Sequence, residues 1–292
     1  MQQGIVAKTF ARDSIAECLQ AVADHGFHST QFNMKCVGLP TLPEQISPEV
    51  CAEIRFEHAR RGLSMAAISA TFNIIHPDEA ERENGMRRFE VLAQAAPAMG
   101  TDCLTLCTGT GDAHDMWRRH PANQSAAAWR AMLHSMKRIV AIASQARVNV
   151  LVEPELSNVV DSAAKARKLL DELGSPQVKI LLDGANLIDS VDPIRNRELL
   201  AEAMELLGAD IVLAHAKDVT WLHGPVYCPA GRGLMDYDYY LRRLSQCGFA
   251  GPLILHELAE EDVLACRRFI RERLLEIGEP TSPAPNSPAR AV

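Results

Sequence analysis

Short apolar runs alternate with longer amphipathic segments along almost the whole chain. The apolar runs predict strands, and the amphipathic segments predict helices. We expect strands over 4–8, 29–34, 65–72, 102–108, 148–153, 178–183, 211–216 and 253–257, each followed by a helix, near 13–25, 49–62, 79–99, 123–145, 160–173, 193–207, 237–247 and 260–276. Strands that alternate with crossover helices form a parallel sheet, and eight such units in about 250 residues are the size of a TIM barrel. The alternation predicts an α/β fold, a single (β/α)8 TIM barrel over residues 1–278.

A doubly wound open sheet is the alternative fold. It would need a glycine-rich phosphate loop after an early strand, and no G-x-G-x-x-G stands there. The nearest stretch is "TGTGDAH" at 108–114, which follows the fourth predicted strand. The final segment, "GEPTSPAPNSPARAV", is rich in Pro, Ser and Ala. That composition cannot bury enough apolar surface to fold, so we expect residues 279–292 to form a disordered tail.

Composition excludes several classes of protein. The 292 residues carry a net charge of −7, whereas a nucleic-acid-binding protein needs a basic surface. The eight cysteines are scattered without a C-x-x-C pair, which favours free thiols in a reducing cytoplasm. The N-terminus does not resemble a signal peptide, and no apolar run is long enough to span a membrane. We expect a cytoplasmic protein that binds neither nucleic acid nor membrane, and a homo-oligomer is left open.

Polar side chains stand at the carboxyl ends of the last four predicted strands. They are Glu153, Asp183, His215 and Glu257, one from each strand. Because active sites of TIM barrels lie at this end of the strands, we expect the four side chains to meet. Three carboxylates close together would repel one another without a cation. A site made mainly of oxygen ligands suits one divalent metal ion, Mn²⁺, Mg²⁺ or Co²⁺, with Zn²⁺ as an alternative.

The motifs around these residues resemble the xylose-isomerase-like TIM barrels, the sugar phosphate isomerase/epimerase superfamily. The resemblance rests on "LVEPE", "ILLDGANLI", "AHAKD" and "LILHE" in that order, with "FNIIHPD", "AMGTDCLTLCTG" and "PAGRGLMDY" around them. It covers residue 4 to about 275. In ketose 3-epimerases of this group, the matching Glu, Asp, His and Glu bind one divalent metal, and the two glutamates exchange protons with the substrate. The resemblance therefore implies that Glu153 and Glu257 are the catalytic acid and base.

The resemblance implies a sugar isomerase or epimerase, and we expect a 3-epimerase acting on a ketose or a ketose derivative. Such a reaction removes a proton beside a carbonyl, passes through an enediolate and returns the proton on the opposite face. The same metal site could instead serve a dehydratase or lyase on keto-sugars, or an aldose–ketose isomerase. A non-catalytic sugar-binding subunit is an alternative of a different class.

The sequence departs from related enzymes at several positions. The DNA-cleaving relatives of the endonuclease IV group carry a histidine where this chain has Asn186, and an Asp-x-His pair that "PAGRGLMDYD" does not show. These differences, with the acidic charge, argue against DNA repair. Many ketose epimerases have a histidine at the Asn186 position and an arginine soon after the seventh-strand histidine. After His215 this chain has Lys217 and His223 in place of that arginine.

Five residues are candidate substrate contacts, and each also has a purely structural interpretation. They are Glu155, His76, Asn186, Lys217 and Arg232. Glu155 can equally lie in a solvated loop, Lys217 can pair with Asp218 or Glu257, and Arg232 can be a plain surface residue. Trp117 can cover the site or anchor its own loop. His256 alternates with Glu257 along the last strand, so we expect His256 to pack outside the barrel.

Overall fold

The computed structural model describes residues 1–278, and the predicted tail, residues 279–292, lies outside the described residues. Eight parallel strands close into a barrel in the order β6-β5-β4-β3-β2-β1-β9-β7, with β7 returning to β6. The strands are β1 (Gln2–Val6), β2 (Ser29–Phe32), β3 (Ser64–Ser69), β4 (Cys103–Cys107), β5 (Asn149–Glu153), β6 (Val178–Asp183), β7 (Ile211–Trp221) and β9 (Pro252–Leu255). The predicted α/β TIM barrel is confirmed.

Eight α-helices follow the barrel strands in the described part of the chain. They are α1 (Ile15–Asp24), α2 (Pro48–Ala59), α3 (Glu79–Met99), α4 (Ala126–Ala146), α5 (Ala163–Leu173), α6 (Pro193–Leu207), α7 (Tyr237–Gln246) and α8 (Val263–Glu276). All but α8 start after a Ser or Asp whose side chain accepts a hydrogen bond from the first-turn backbone. None of these helices is long and apolar enough to cross a membrane.

The buried apolar residues form two clusters. The larger one fills the layer between the strands and the surrounding helices. The smaller one lies inside the barrel and consists of Val6, Ala67, Leu151, Leu181, Leu213 and Ile254. Successive side chains of a strand point to opposite faces, so residues two positions further along each strand also point inward. This inner cluster is the apolar floor beneath whatever the strands present at their carboxyl ends.

One strand was absent from the sequence expectation. β8 (Pro225–Pro229) pairs antiparallel with the second half of β7, with Trp221 opposite Pro225 and Lys217 opposite Pro229. β7 therefore runs to Trp221 instead of ending near residue 216. The resulting β7–β8 hairpin projects from the carboxyl end of the barrel and places Tyr227 beside the buried polar groups there.

Candidate metal centre and active site

Glu153, Asp183 and His215 converge at the carboxyl ends of β5, β6 and β7. Each stands two positions beyond a leucine of the inner cluster, which is why all three side chains point into the barrel. One ligand atom from each residue lies within 4.8 Å of the other two, and all three residues are buried. His215 Nδ1 is 3.1 Å from Asp183 Oδ2 and 3.4 Å from Glu153 Oε1. Two carboxylates and an imidazole in this arrangement fit a divalent cation.

The orientation of His215 is fixed from its far side by a residue that the sequence analysis missed. His215 Nε2 lies 2.8 Å from Gln31 Oε1, and Gln31 Nε2 donates to Ser69 Oγ at 3.2 Å. Because an amide oxygen only accepts, Nε2 of His215 carries a proton and Nδ1 faces the two carboxylates. In the neutral imidazole this leaves the lone pair on Nδ1, the nitrogen that would face a cation. The signal available in the sequence was a polar glutamine within the second predicted strand, "STQFNM".

The buried carboxylates of the site are balanced by positive charge on His215 and Lys217. Burial disfavours a charged His215, but the charge of Glu153 and the hydrogen bond with Asp183 raise the His215 pKa to about 9. Burial also acts to raise the pKa of Asp183, yet Lys217 and His215 hold it below its usual range. A proton on His215 and the Lys217 ammonium thus supply the positive charge that these carboxylates require.

Lys217 is buried among the acidic residues. Its Nζ is 3.4 Å from Asp183 Oδ2 and 3.6 Å from the centre of the Tyr227 ring. Burial alone would lower the Lys217 pKa, but Asp183 and Glu155 raise it above the ordinary value. The ion pair with Asp218 that the sequence allowed is not formed. Asp218 instead accepts hydrogen bonds from the backbone of Val219, Gly231 and Met235 and so anchors the "PAGRG" loop.

Asn186 and Glu155 also border the centre, as the sequence suggested. Asn186 donates from Nδ2 to Glu153 Oε1 at 2.8 Å. Its buried Oδ1 has no hydrogen-bond partner within residues 1–278, so an acceptor is left open in the site. Glu155 Oε1 accepts a hydrogen bond of 2.8 Å from the Tyr227 hydroxyl. Burial, opposed by Lys217 and reinforced by Glu153, raises the pKa of Glu155 to about 7.

The fourth expected ligand, Glu257, lies outside the cluster. β9 ends at Leu255, and the Glu257 backbone adopts a left-handed conformation with φ of 54°. Its side chain is 50% exposed, and Oε2 is 3.7 Å from His256 Nε2. Glu257 lines an open cavity of about 570 Å³ together with His256 and Tyr227. A left-handed non-glycine residue costs on the order of 1–3 kcal/mol and is often found at functional sites.

His256 takes the inward position on the last strand, and the expectation that it packs outside the barrel is wrong. It follows Ile254 of the inner cluster by two residues, and its ring centre is 4.8 Å from that of His215. Burial, with the charges of His215 and Lys217, lowers the His256 pKa well below its usual range. The backbone continues the β9 pleat for one more residue, so His256 N donates to Ala216 O at 3.3 Å.

Comparison with known proteins identifies the family. The family model for the xylose isomerase-like TIM barrel matches residues 19–274. The chain belongs to this family. L-ribulose-5-phosphate 3-epimerase UlaE of Escherichia coli O157:H7 is 24% identical over 209 residues, 69% of this chain and 68% of that protein.

Two solved structures share the family fold with this chain. The 3-keto-D-glucoside 4-epimerase YcjR from E. coli has a TM-score of 0.73 and 16% identity, over 93% of this chain and 99% of that chain. The probable 3-DHS dehydratase AsbF from Bacillus anthracis has a TM-score of 0.72 and 17% identity, over 93% of this chain and 99% of that chain.

The two remaining predicted contacts, His76 and Arg232, serve the loops around this family's barrel mouth. His76 Nδ1 accepts from the Asp78 backbone at 3.1 Å, and its Nε2 is 3.0 Å from Ala113 O. Both ring nitrogens are therefore used to hold one loop against another. Arg232 is half exposed and forms an ion pair with Asp262. In this structure neither side chain belongs to the cluster formed by Glu153, Asp183 and His215.

Proposed function

We propose that the protein is a divalent-metal-dependent sugar epimerase that inverts C3 of a ketose or a ketose derivative. The observation that carries this proposal is the convergence of Glu153, Asp183 and His215 within 4.8 Å at the carboxyl end of the barrel. The relatives add support, since UlaE is named a 3-epimerase of L-ribulose 5-phosphate and YcjR a 4-epimerase of a 3-keto-D-glucoside. Both names describe inversion at a carbon of a keto-sugar.

The residues present fit Mn²⁺, Mg²⁺ or Co²⁺, with Zn²⁺ as the alternative. Glu153, Asp183 and His215 would hold the ion, and Glu257 would join them. The open Asn186 Oδ1 would accept a substrate hydroxyl. When bound, a divalent cation supplies positive charge that stabilises negative charge developing on the substrate oxygens. His215 would lose its Nδ1 proton, because a ligating imidazole must be deprotonated at the coordinating nitrogen.

Proton transfer is assigned to Glu153 and Glu257. One carboxylate takes the proton from C3. The electron pair of the broken C–H bond forms a C2–C3 double bond, and the π electrons of the carbonyl move onto its oxygen to give the enediolate. The other glutamate, in its acid form, returns a proton to the opposite face of C3, and the carbonyl re-forms. Asn186 holds Glu153 through the hydrogen bond at Oε1. Glu257 must turn inward to reach the same carbon, and its left-handed backbone is the element that would change.

A non-catalytic sugar-binding subunit is the second candidate, and the placement of Glu257 favours it. A chain whose Glu257 side chain stays half exposed keeps only one glutamate of the proposed proton-transfer pair, Glu153, in the site. Elimination by a dehydratase or lyase and aldose–ketose isomerisation would use the same ion and the same first proton abstraction. The products differ, so product analysis separates these reactions.

NMR of sugars incubated with the Mn²⁺-, Mg²⁺- or Co²⁺-loaded protein in D₂O tests the proposal. We expect one deuterium at C3 and a mixture of the two C3 epimers. Glu153→Gln should lose both signals, whereas Glu198→Gln on the outer surface of α6 should keep them. A dehydrated or cleaved product would show that the protein catalyses elimination and not epimerisation. If no ketose or ketose derivative takes up deuterium or gives a new product, the result would favour the non-catalytic subunit.

A further inference from the structure

A second cavity opens beside the metal centre, between the loop after β4 and the β7–β8 hairpin. It measures about 640 Å³, and we call it the aromatic annex. Trp117, Trp221 and Tyr227 provide its aromatic walls, and Glu155, Ser157 and Arg119 stand among its polar lining. It is separate from the cavity that holds Glu257, and Tyr227 lines both. The proposed proton transfer takes place at the carbonyl and C3 of one sugar, so the step itself does not use the annex.

Trp117 presents its aromatic surface to solvent and not to the core, and Trp221 is partly buried. Trp117 is 55% exposed, although its backbone is held by a hydrogen bond to Asp115. Of the three tryptophans of the chain, two line this one cavity. The third, Trp129, lies on α4, where its indole NH donates to Glu172 and Lys168 covers its ring. Exposed tryptophan faces at the edge of a pocket are typical of ligand contacts.

The charges of the annex disfavour a phosphate group. Its lining carries three acidic side chains, Asp115, Glu155 and Asp189, with Arg118, Arg119 and His223, and Asp189 already pairs with Arg195. Arg118 already pairs with Asp112 and lies 4.0 Å from Asp115. A phosphate site needs an excess of donors and positive charge, as in clusters of arginines or a helix N-terminus. Flat aromatic faces with scattered polar groups suit a neutral ligand that has an apolar face and a hydroxylated rim.

The annex is joined to the metal centre through Glu155. Glu155 lines the annex, and its Oε1 accepts the Tyr227 hydroxyl at 2.8 Å. The negative charge of Glu155 also raises the pKa of Lys217, whose Nζ lies 3.4 Å from Asp183 Oδ2. A ligand that fills the annex therefore lies next to the residues that contact the reacting sugar. This continuity indicates one extended substrate, not two independent ligands.

We propose that the aromatic annex binds a second, uncharged sugar ring attached to the reacting ketose. The inference rests on the proposed epimerase function and narrows its substrate class to ketose glycosides. Trp117 and Trp221 stack against the second ring, and polar groups of the rim bind its hydroxyls. Tyr227 stands at the junction of the two rings, since it lines both cavities.

The test compares fructose with two ketose disaccharides that leave C3 free, lactulose with galactose on O4 and isomaltulose with glucose on O6. Deuterium uptake at C3 by the metal-loaded enzyme gives kcat/KM for each. We expect at least one disaccharide to exceed fructose about tenfold or more, which corresponds to about 1.4 kcal/mol. Trp117→Ala and Trp221→Ala should remove that advantage and change the fructose value less than twofold. Trp129→Ala is the matched control and should leave both values unchanged.

Two results would overturn the inference while leaving the epimerase function intact. One is equal or better turnover of fructose in the wild type. The other is a preference for fructose 6-phosphate over both disaccharides, which would assign the annex to an anion. Tryptophan fluorescence of the Trp129→Phe variant, where only Trp117 and Trp221 remain, separates the two proposals. Saturable quenching by a disaccharide, with no deuterium uptake by any of the sugars, supports the annex and contradicts the epimerase. The absence of both quenching and deuterium uptake contradicts both proposals.

Discussion

The carboxyl ends of β5, β6 and β7 differ from the end of β9 in how their acidic and histidine residues are directed. Glu153 and Asp183 are the last residues of their strands, and β7 continues past His215. The pleat therefore fixes these three side chains inward. β9 ends two residues before Glu257, whose direction is set by a left-handed loop backbone. The sheet sets the direction of the first three side chains, and a loop sets the direction of Glu257.

The largest expected effect comes from removing either carboxylate of the proposed proton-transfer pair. Glu153→Gln and Glu257→Gln should each lower turnover by ~10² or more, the usual worth of a general acid or base. Metal affinity should fall only moderately, because the amide keeps one oxygen ligand. Steady-state kinetics at saturating metal, with metal binding measured by calorimetry, check both statements.

A difference in turnover between the two variants would separate the role of Glu153 from that of Glu257. A Glu257→Gln enzyme that turns over at the wild-type rate would show that Glu257 takes no part in the chemistry. His256 or Lys217, which lie closer to His215 and Asp183, would then be the next residues to test. Equal losses in both variants would show that Glu257 turns inward during the reaction.

The second effect is a pH dependence of stability that arises from His215 on β7 and Glu155 just after β5. The His215 pKa rises from an ordinary value of 6.5 to about 9 on folding without metal. Its contribution is therefore complete below pH 6.5 and is lost as pH rises through 9, on the order of 3 kcal/mol. Glu155, whose pKa rises from 4.5 to about 7, acts in the same direction, with its contribution lost between those pH values.

Thermal melts of the metal-free protein between pH 6 and 9 measure this dependence. We expect the Tm to fall by several degrees over that range and to recover when Mn²⁺ takes the place of the proton. His215→Gln should flatten the curve, whereas His134→Gln, at an exposed position on α4, should not. A Tm that rises with pH in the metal-free wild type would contradict the proposed charge balance.

The smallest effect tests the backbone of Glu257. Glycine adopts φ of 54° without strain, so Glu257→Gly should raise the free energy of unfolding by up to about 1 kcal/mol while turnover is lost. Arg147, at the end of α4, has φ of 59° and is the matched control. Arg147→Gly should give a similar gain in stability with unchanged turnover. Stability loss in Glu257→Gly would indicate that the side chain, not the backbone, holds this loop.

Much of this arrangement follows from sequence pattern, because the pattern reflects the pleat. The apolar runs "VNVLVE" and "VKILLD" predicted strands ending at Glu153 and Asp183, and β5 and β6 end there. β8 escaped prediction because it begins and ends in proline, which is disfavoured within sheets. Tyr227 was missed with it. Gln31 was missed because its partner, His215, is distant in sequence and meets it only across the closed barrel.

The end of β9 could not be predicted from the same pattern. "LILHE" places His256 and Glu257 side by side, and only one of two neighbouring residues can point inward. Which one does so depends on where the strand stops and on the following loop, through contacts that the apolar periodicity does not encode. The structure turns His256 toward His215 and leaves Glu257 at the edge of the adjoining cavity.

Anomalous diffraction from crystals soaked with Mn²⁺ and a ketose tests the central claim most directly. We expect one manganese peak with Glu153, Asp183 and His215 Nδ1 at ~2.0–2.6 Å, and Glu257 turned inward as a further ligand. A peak bound by the first three residues with Glu257 still outside would keep the metal site and refute the role of Glu257. Full soaking with no manganese at these side chains would contradict the metal centre itself.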